Sequence, residues 1–341
     1  MPAISVIIPI YNSDDYIATC IESLKRQSFG DFEAICIDDA STTNALAIAR
    51  EAAAGDDRFV FIEQEQNSGP SVTRNTGMDH ARGTYIAFLD SDDQYAENAF
   101  ELLFTLAQEN DLDLIDFCAT PVYENEDIKK IWHEQIDTHT PLEGVVSGTE
   151  LFTHYQKYRE YHCALYLHFF RRSLLEEGPL RLIGGIIHED EVFSPFLHIR
   201  AQRCMLIQDQ LYLRSIHANS LVTSPRGIYN VSCLFTVLKE LEGWLQIHAK
   251  DYDPGFVDAF ALRIWELRKI LAEDILRCTP EELIEFQETL DAADLAYFNV
   301  NGIQLASNLQ ILANRKSWKI AQAISHVAHR ARGIAIKDSY F

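Results

Sequence analysis

The stretch Tyr85-Ile86-Ala87-Phe88-Leu89-Asp90-Ser91-Asp92-Asp93 decides the fold of this chain. Five apolar or aromatic residues read as a buried strand that ends abruptly in three carboxylates within four positions. Like charges packed that tightly repel, so their simplest use is to share a divalent cation. Hard oxygen donors suit Mg²⁺ or Mn²⁺, and such ions keep open positions for phosphate oxygens. A cation at the carboxyl end of a parallel strand lies where open α/β sheets bind ligands. The plainer alternative is a solvated acidic turn after an ordinary strand.

The sequence on either side places this strand in an alternating series. Ile4 to Ile10 is a nearly continuous β-branched run, as expected of a strand covered on both faces. Ser13 is placed to cap the next helix, whose inward stripe is Ile17, Ile21 and Leu24. Phe32 to Ile37 forms a second strand ending at Asp38-Asp39, and Ser41 or Thr42 is expected to cap an Ala-rich helix that stops at Gly55. A third strand at Phe59 to Ile62 and a loop through Asn67, Ser68, Gly69 and Pro70 lead into a helix from about Ser71 to His80, closed by Gly83. After the acidic strand, Glu97 to Asn110 reads as a helix and Leu112 to Phe117 as a strand. Strand and helix alternating in this order imply a parallel sheet with right-handed crossovers.

Residues 121–148 are polar, with Pro121, Pro141, Gly144 and Gly148, and read as a mobile excursion. A helix (Thr149 to Lys157), an aromatic-rich segment (Tyr161 to Phe170) and the acidic turn His188-Glu189-Asp190-Glu191 follow. Helical periodicity dominates from Ile228 onward. The expectation is an α/β domain over residues 1–224 and a helical appendage over 225–341.

Composition narrows the function. At 341 residues, with 47% hydrophobic and 23% charged residues, the chain has the makeup of a globular protein with a substantial core. Its 29 Lys+Arg against 51 Asp+Glu give a net charge of −22, which excludes nucleic acid as the natural partner. The start, Met1-Pro2-Ala3-Ile4-Ser5, has neither the basic flank nor the apolar run of a signal peptide. Seven scattered cysteines without metal-ligand spacing read as reduced thiols, and the expected location is cytoplasmic. Of the twelve histidines, the eleven other than His217 show no spacing that suggests a metal cluster.

Three polar clusters lie at strand ends: Pro9-Ile10-Tyr11-Asn12, Asp38-Asp39-Ala40-Ser41 and the Asp90 group. In a parallel sheet all three open on one edge. Together they suit a nucleoside diphosphate, with the Tyr11 ring for a base, Asp39 for a base N–H or ribose hydroxyl, and the Asp90 group for a cation. Taken singly, a carboxylate after a strand often only caps a helix.

These segments, with Asn67-Ser68-Gly69-Pro70-Ser71-Val72-Thr73-Arg74-Asn75-Thr76-Gly77, closely resemble family 2 glycosyltransferases. All four motifs occur in order over residues 3–95, and a looser likeness runs through Arg171-Arg172 to about Thr223. The resemblance implies a GT-A fold, a mainly parallel sheet flanked by helices, and inverting transfer from a nucleotide sugar, by default a UDP-sugar. It implies that Pro9, Tyr11 and Asn12 line the nucleotide pocket, that Asp39 holds the base and that Arg74 approaches the diphosphate. Asp90 would lie near the ribose with Ser91 beside it, and Asp92 would bind Mn²⁺ or Mg²⁺. Ala40 stands where glycine is frequent, and Thr43 where aspartate is.

Inverting transfer needs a base for the acceptor hydroxyl. Glu189-Asp190-Glu191-Val192-Phe193 resembles the family's acidic pair, which assigns that role to Asp190. Its apolar surroundings would raise its pKa, whereas the alternative is an exposed acidic helix start. His217, in Leu211-Tyr212-Leu213-Arg214-Ser215-Ile216-His217, is a candidate late metal ligand or diphosphate contact, with Arg214 offsetting donor charge. A basic stripe over 315–341 suggests peripheral contact with an anionic membrane or simply a solvated helix face. The acceptor is expected to be a glycan or lipid-linked saccharide of the bacterial surface, and a homo-oligomer is in keeping with a helical appendage. Two further readings are an aspartate-dependent phosphohydrolase and a non-catalytic nucleotide-sugar-binding partner subunit.

Overall fold

The computed structural model describes all residues except 132–137, 177, 179, 218–225, 304 and 308–341. Its centre is a sheet of eight strands: β1 (Ile4–Ile10), β2 (Phe32–Asp38), β3 (Phe59–Glu63), β4 (Tyr85–Phe88), β5 (Gln94–Tyr95), β6 (Leu114–Tyr123), β7 (His168–Arg171) and β8 (Cys204–Ile216). They lie in the order β3-β2-β1-β4-β7-β6-β8-β5. The first four are mutually parallel, with Ile10 opposite Asp38 and Ile7 opposite Phe88. β7 runs against β4 and β6, and β5 runs against β8, so the sheet is mixed. The expected parallel order thus holds for the first half and is broken by two short reversed strands in the second.

Between these strands the chain forms α1 (Ile17–Lys25), α2 (Ala45–Ala52), α3 (Pro70–His80), α4 (Ala99–Glu109), α5 (Glu126–Ile131), α6 (Gly148–Tyr158) and α7 (Asp190–Arg200). The stripe of α1 buries Ile17, Ile21 and Leu24 as its spacing requires. Its cap differs from the expectation: Tyr16 precedes the helix without a side-chain cap, and the buried Ser13 hydroxyl makes no hydrogen bond. The Ser13 carbonyl instead accepts the amides of Tyr16 and Ile17. At α2 neither Ser41 nor Thr42 caps. Asp14 takes that place from another loop, accepting from the Asn44 amide at 2.9 Å and from the Thr43 hydroxyl.

The stretch expected to be a mobile excursion carries regular structure at both ends. β6 continues to Tyr123 because it pairs with β8 along its length, and α5 and the start of α6 follow. Residues 132–137 within it lie outside the described residues, as does the basic stripe at 315–341.

Contacts divide the described residues into two units. One is Met1–Phe152 with His162 to His217, which holds the sheet. The other joins Thr153–Tyr161 to the helices after residue 225, namely α8 (Ile228–His248), α9 (Pro254–Ile275), α10 (Pro280–Glu288) and α11 (Ala292–Phe298). In this second unit Phe235, Leu238 and Leu241 of α8, Phe260 and Leu267 of α9 and Phe298 of α11 are buried. The helix starts are capped by Asp253, Thr279 and Asp291. No helix among the described residues is long and apolar enough to cross a membrane.

Ser5 and Glu33 are polar residues inside buried strands, and the turn between α3 and β4 explains both. Ser5 donates to Glu33 at 2.7 Å and accepts the Gly83 amide at 2.8 Å, while Glu33 accepts the Arg82 amide at 2.8 Å. This closes the crossover onto β1 and leaves no room for a side chain at residue 83. A Cβ there would lie 2.5 Å from the Ser5 nitrogen and 2.6 Å from the Ile4 carbonyl carbon. Gly83→Ala is therefore expected to cost about 2 kcal/mol or more, read as a lower urea midpoint at unchanged slope.

Candidate active site

The carboxyl ends of β2, β1 and β4 lie side by side, tied by the Asp39 amide on the Ile10 carbonyl (2.8 Å) and the Leu89 amide on the Ile7 carbonyl (3.0 Å). All three strand-end clusters therefore open on one edge. Tyr11 is 48% exposed there, so its ring is available for stacking, and Pro9 beside it is half-buried. The other polar residues of this edge already have partners within the chain. Asn12 accepts the Thr42 amide at 2.9 Å, and its own amide donates to Ser41. Both Asp39 oxygens accept backbone amides, from Ser68 at 2.8 Å and Gly69 at 2.9 Å. One Asp38 oxygen accepts the Ser41 amide, and the other is buried without a hydrogen bond. Asn12 (φ 50°) and Ala40 (φ 55°) are left-handed, which explains why glycine is frequent at the Ala40 position.

The acidic turn divides its three carboxylates among three partners. Asp93 turns inward, accepting the Tyr212 hydroxyl at 2.7 Å and the Ser215 amide at 2.6 Å. Burial, then repulsion from Asp92 and Asp90, pushes its pKa well up. The same Tyr212 oxygen accepts the Asp90 amide, so one phenol fixes the turn from beneath. Asp90 is ion-paired to Arg74 at 2.6 Å. Of the three acids expected to share one cation, Asp90 and Asp93 thus have partners within the chain. Asp92 faces His217, with Nε2 2.9 Å from Oδ2, and half-buried Ser91 lies between the two acids in the chain. Tyr16 stacks on the His217 ring at 4.6 Å, and His217 Nδ1 is buried without a hydrogen bond. A carboxylate and an imidazole side by side fit a divalent cation, with the nitrogen donor favouring Mn²⁺ over Mg²⁺.

The second acidic segment closes on the first. His188 turns left-handed (φ 68°), Glu189 follows, and Asp190 opens α7. Arg74 reaches both, with its guanidinium 2.6 Å from Asp90 and 3.4 Å from Glu189. These residues and Asp190 line a cavity of about 90 Å³ with Ala164, Leu165 and Tyr166. Desolvation, then the charges of Glu191 and Glu189, raises Asp190 to a pKa of about 7, against lowering by Cys163 and Arg74. That is the shift its apolar neighbours led one to expect. Burial also raises Glu189, with Arg74 opposing.

Sequence spacing missed three contributors to this site and one separate cluster. Glu189 pairs with Arg74, Tyr212 braces the acidic turn, Tyr16 stacks on His217, and Asp116, His168 and His198 converge in the interior with ligand atoms within 4.8 Å of one another. The last group is a histidine cluster assembled by the fold alone. Its members come from β6, β7 and α7, so no spacing could have signalled it.

Comparison with known proteins places the chain among relatives. A family model described as glycosyl transferase family 2 matches residues 5–178. The poly(ribitol-phosphate) beta-glucosyltransferase of Bacillus spizizenii is 40% identical over 213 residues, covering 61% of this chain and 31% of that protein. Three other curated bacterial relatives are matched over 62%, 63% and 64% of their lengths, so the chain spans less than two-thirds of them. Staphylococcus aureus TarS 1–349 in complex with UDP-GlcNAc superposes with a TM-score of 0.61 at 20% identity, covering 81% of this chain and 72% of that one. The Pyrobaculum calidifontis mannosyltransferase PcManGT, in complex with GDP-Man and Mn²⁺, gives 0.51 at 16% identity over 96% and 86%. At such identities the two structures establish a shared GT-A fold. The profile match over half of the sequence carries the assignment further: the chain belongs to glycosyl transferase family 2.

Proposed function

We propose that the chain moves a sugar, with inversion, from a uridine diphosphate sugar to a hydroxyl of a surface glycan or lipid-linked acceptor. One observation carries this reading: Asp190, with a pKa of about 7, shares a cavity with the Asp90–Arg74 pair at the edge where Tyr11 is exposed. Asp190 would take the acceptor proton as the acceptor oxygen bonds to the anomeric carbon. The bond from that carbon to the diphosphate oxygen breaks, and its electron pair leaves with the diphosphate. Arg74 brings positive charge to the pocket, and Tyr11 and Asp39 would receive the nucleoside. Asp92 and His217 would hold Mn²⁺ or Mg²⁺, whose chemistry there is to offset charge on the departing diphosphate. The relative's poly(ribitol phosphate) acceptor is a polyanion, whereas a net charge of −22 on this chain favours a neutral saccharide.

The direct test incubates the protein with Mn²⁺ and a panel of nucleotide sugars, with and without saccharide acceptors, and measures released nucleoside diphosphate. Acceptor-dependent release supports the proposal. Phosphate release from simple phosphomonoesters, or donor binding without transfer to any acceptor, would overturn it.

Three outcomes are expected. Asp190→Asn should lower transfer by about 10²- to 10⁴-fold while donor affinity by calorimetry stays within about threefold. For wild type, kcat/KM should rise about tenfold per pH unit below about pH 7 and level above it, because only the deprotonated Asp190 accepts a proton. That limb should be missing from the residual activity of Asp190→Asn. Asp92→Asn should weaken Mn²⁺-dependent donor binding by roughly tenfold or more, read by titration with and without the metal.

A further inference from the structure

Beneath α7, within the sheet-bearing unit, lies a polar cluster that the transfer reaction leaves unused. Asp116 of β6, His168 of β7 and His198 of α7 are 2%, 1% and 0% exposed. His168 Nδ1 is 2.7 Å from Asp116 Oδ1, and His198 Nε2 is 2.9 Å from Asp116 Oδ2. The outward nitrogens settle the tautomers. His198 Nδ1 lies 2.7 Å from the Ser194 carbonyl, which only accepts, so it carries a proton. The Ser194 hydroxyl donates to the Cys163 carbonyl at 2.6 Å, so it must accept from His168 Nε2 at 3.1 Å.

With both imidazoles neutral, each would turn its lone pair toward a carboxylate oxygen. That arrangement repels unless positive charge lies between, as two extra protons or one divalent cation. An outward N–H held by a carbonyl or hydroxyl is also the second shell that metal-bound histidines have. Two imidazole nitrogens and one carboxylate, closed off from solvent, form a three-residue nitrogen and oxygen donor set of the kind zinc accepts.

We propose that Asp116, His168 and His198 bind a structural divalent cation of zinc type, independent of the Asp92–His217 site. A nitrogen and an oxygen each about 2.1 Å from a tetrahedral ion stand about 3.4 Å apart, so binding opens the nitrogen–oxygen contacts, now 2.7 and 2.9 Å, by about 0.5 to 0.7 Å. The ion ties β6 and β7 to the helix that begins with Asp190, since Asp190, Ser194 and His198 recur every four residues along α7.

The test measures zinc in the full-length protein by mass spectrometry after dialysis against EDTA, which strips weakly held ions. About one zinc per chain should remain in wild type and in Asp92→Asn, and less than a tenth in His198→Gln. Because His198→Gln removes a core side chain, a second measurement uses wild type alone. Stripped with a stronger chelator, it should take up one equivalent of Co²⁺ with a visible absorption band that Zn²⁺ abolishes and millimolar Mg²⁺ does not. Wild type that neither retains zinc nor gives a zinc-displaceable cobalt band overturns the proposal. So does a cobalt band that persists in folded His198→Gln.

Discussion

The site depends on one guanidinium. Arg74 projects from α3 and is held between Asp90, at the end of β4, and Glu189, just before α7. It therefore joins elements more than a hundred residues apart in sequence and keeps two acids at one cavity without leaving either unpaired. Removing one member of so buried a set leaves uncompensated charge, typically costing 3–5 kcal/mol. Asp190 stands beside this set without a direct ion pair to it, and its affinity for protons follows. Burial and the neighbouring acids raise its pKa, and the guanidinium offsets only part of that effect.

Much of the sheet could be read from the chain because its physical signals are local. A strand covered on both faces is a continuous apolar run, and Ile4–Ile10 and Tyr85–Phe88 are buried as that pattern requires. The reversed strands β5 and β7, of two and four residues, give too few positions for a period to emerge. Capping failed as a guide at Ser41 and Thr42, because Asp14 reaches across from another loop, and at Ser13, whose carbonyl rather than hydroxyl takes the first amides of α1. Likewise Asp90, Asp92 and Asp93 were visible as a group, but their separate partners were not. Tyr212 and His217 lie more than a hundred residues later, and the backbone decides which acid meets which.

Ligand-binding candidates and scaffolding are the same residues at this edge. Asn12 and Asp39 were read as donor contacts, and both serve here as struts that fix loops 40–44 and 67–70 through backbone amides. A carboxylate oxygen has more than one acceptor direction, so a strut can still meet a hydroxyl or base N–H. This double duty accounts for a carboxylate rather than an amide at Asp39, since both of its oxygens must accept.

Three non-glycine residues around the opening, Asn12, Ala40 and His188, have left-handed backbones. Each such torsion costs roughly 1–2 kcal/mol for an L-residue, and asparagine tolerates it best. The rim is consequently spring-loaded by folding itself. Its shape is set before any donor arrives, and the entropy of ordering those turns is charged to the fold rather than to the encounter with substrate.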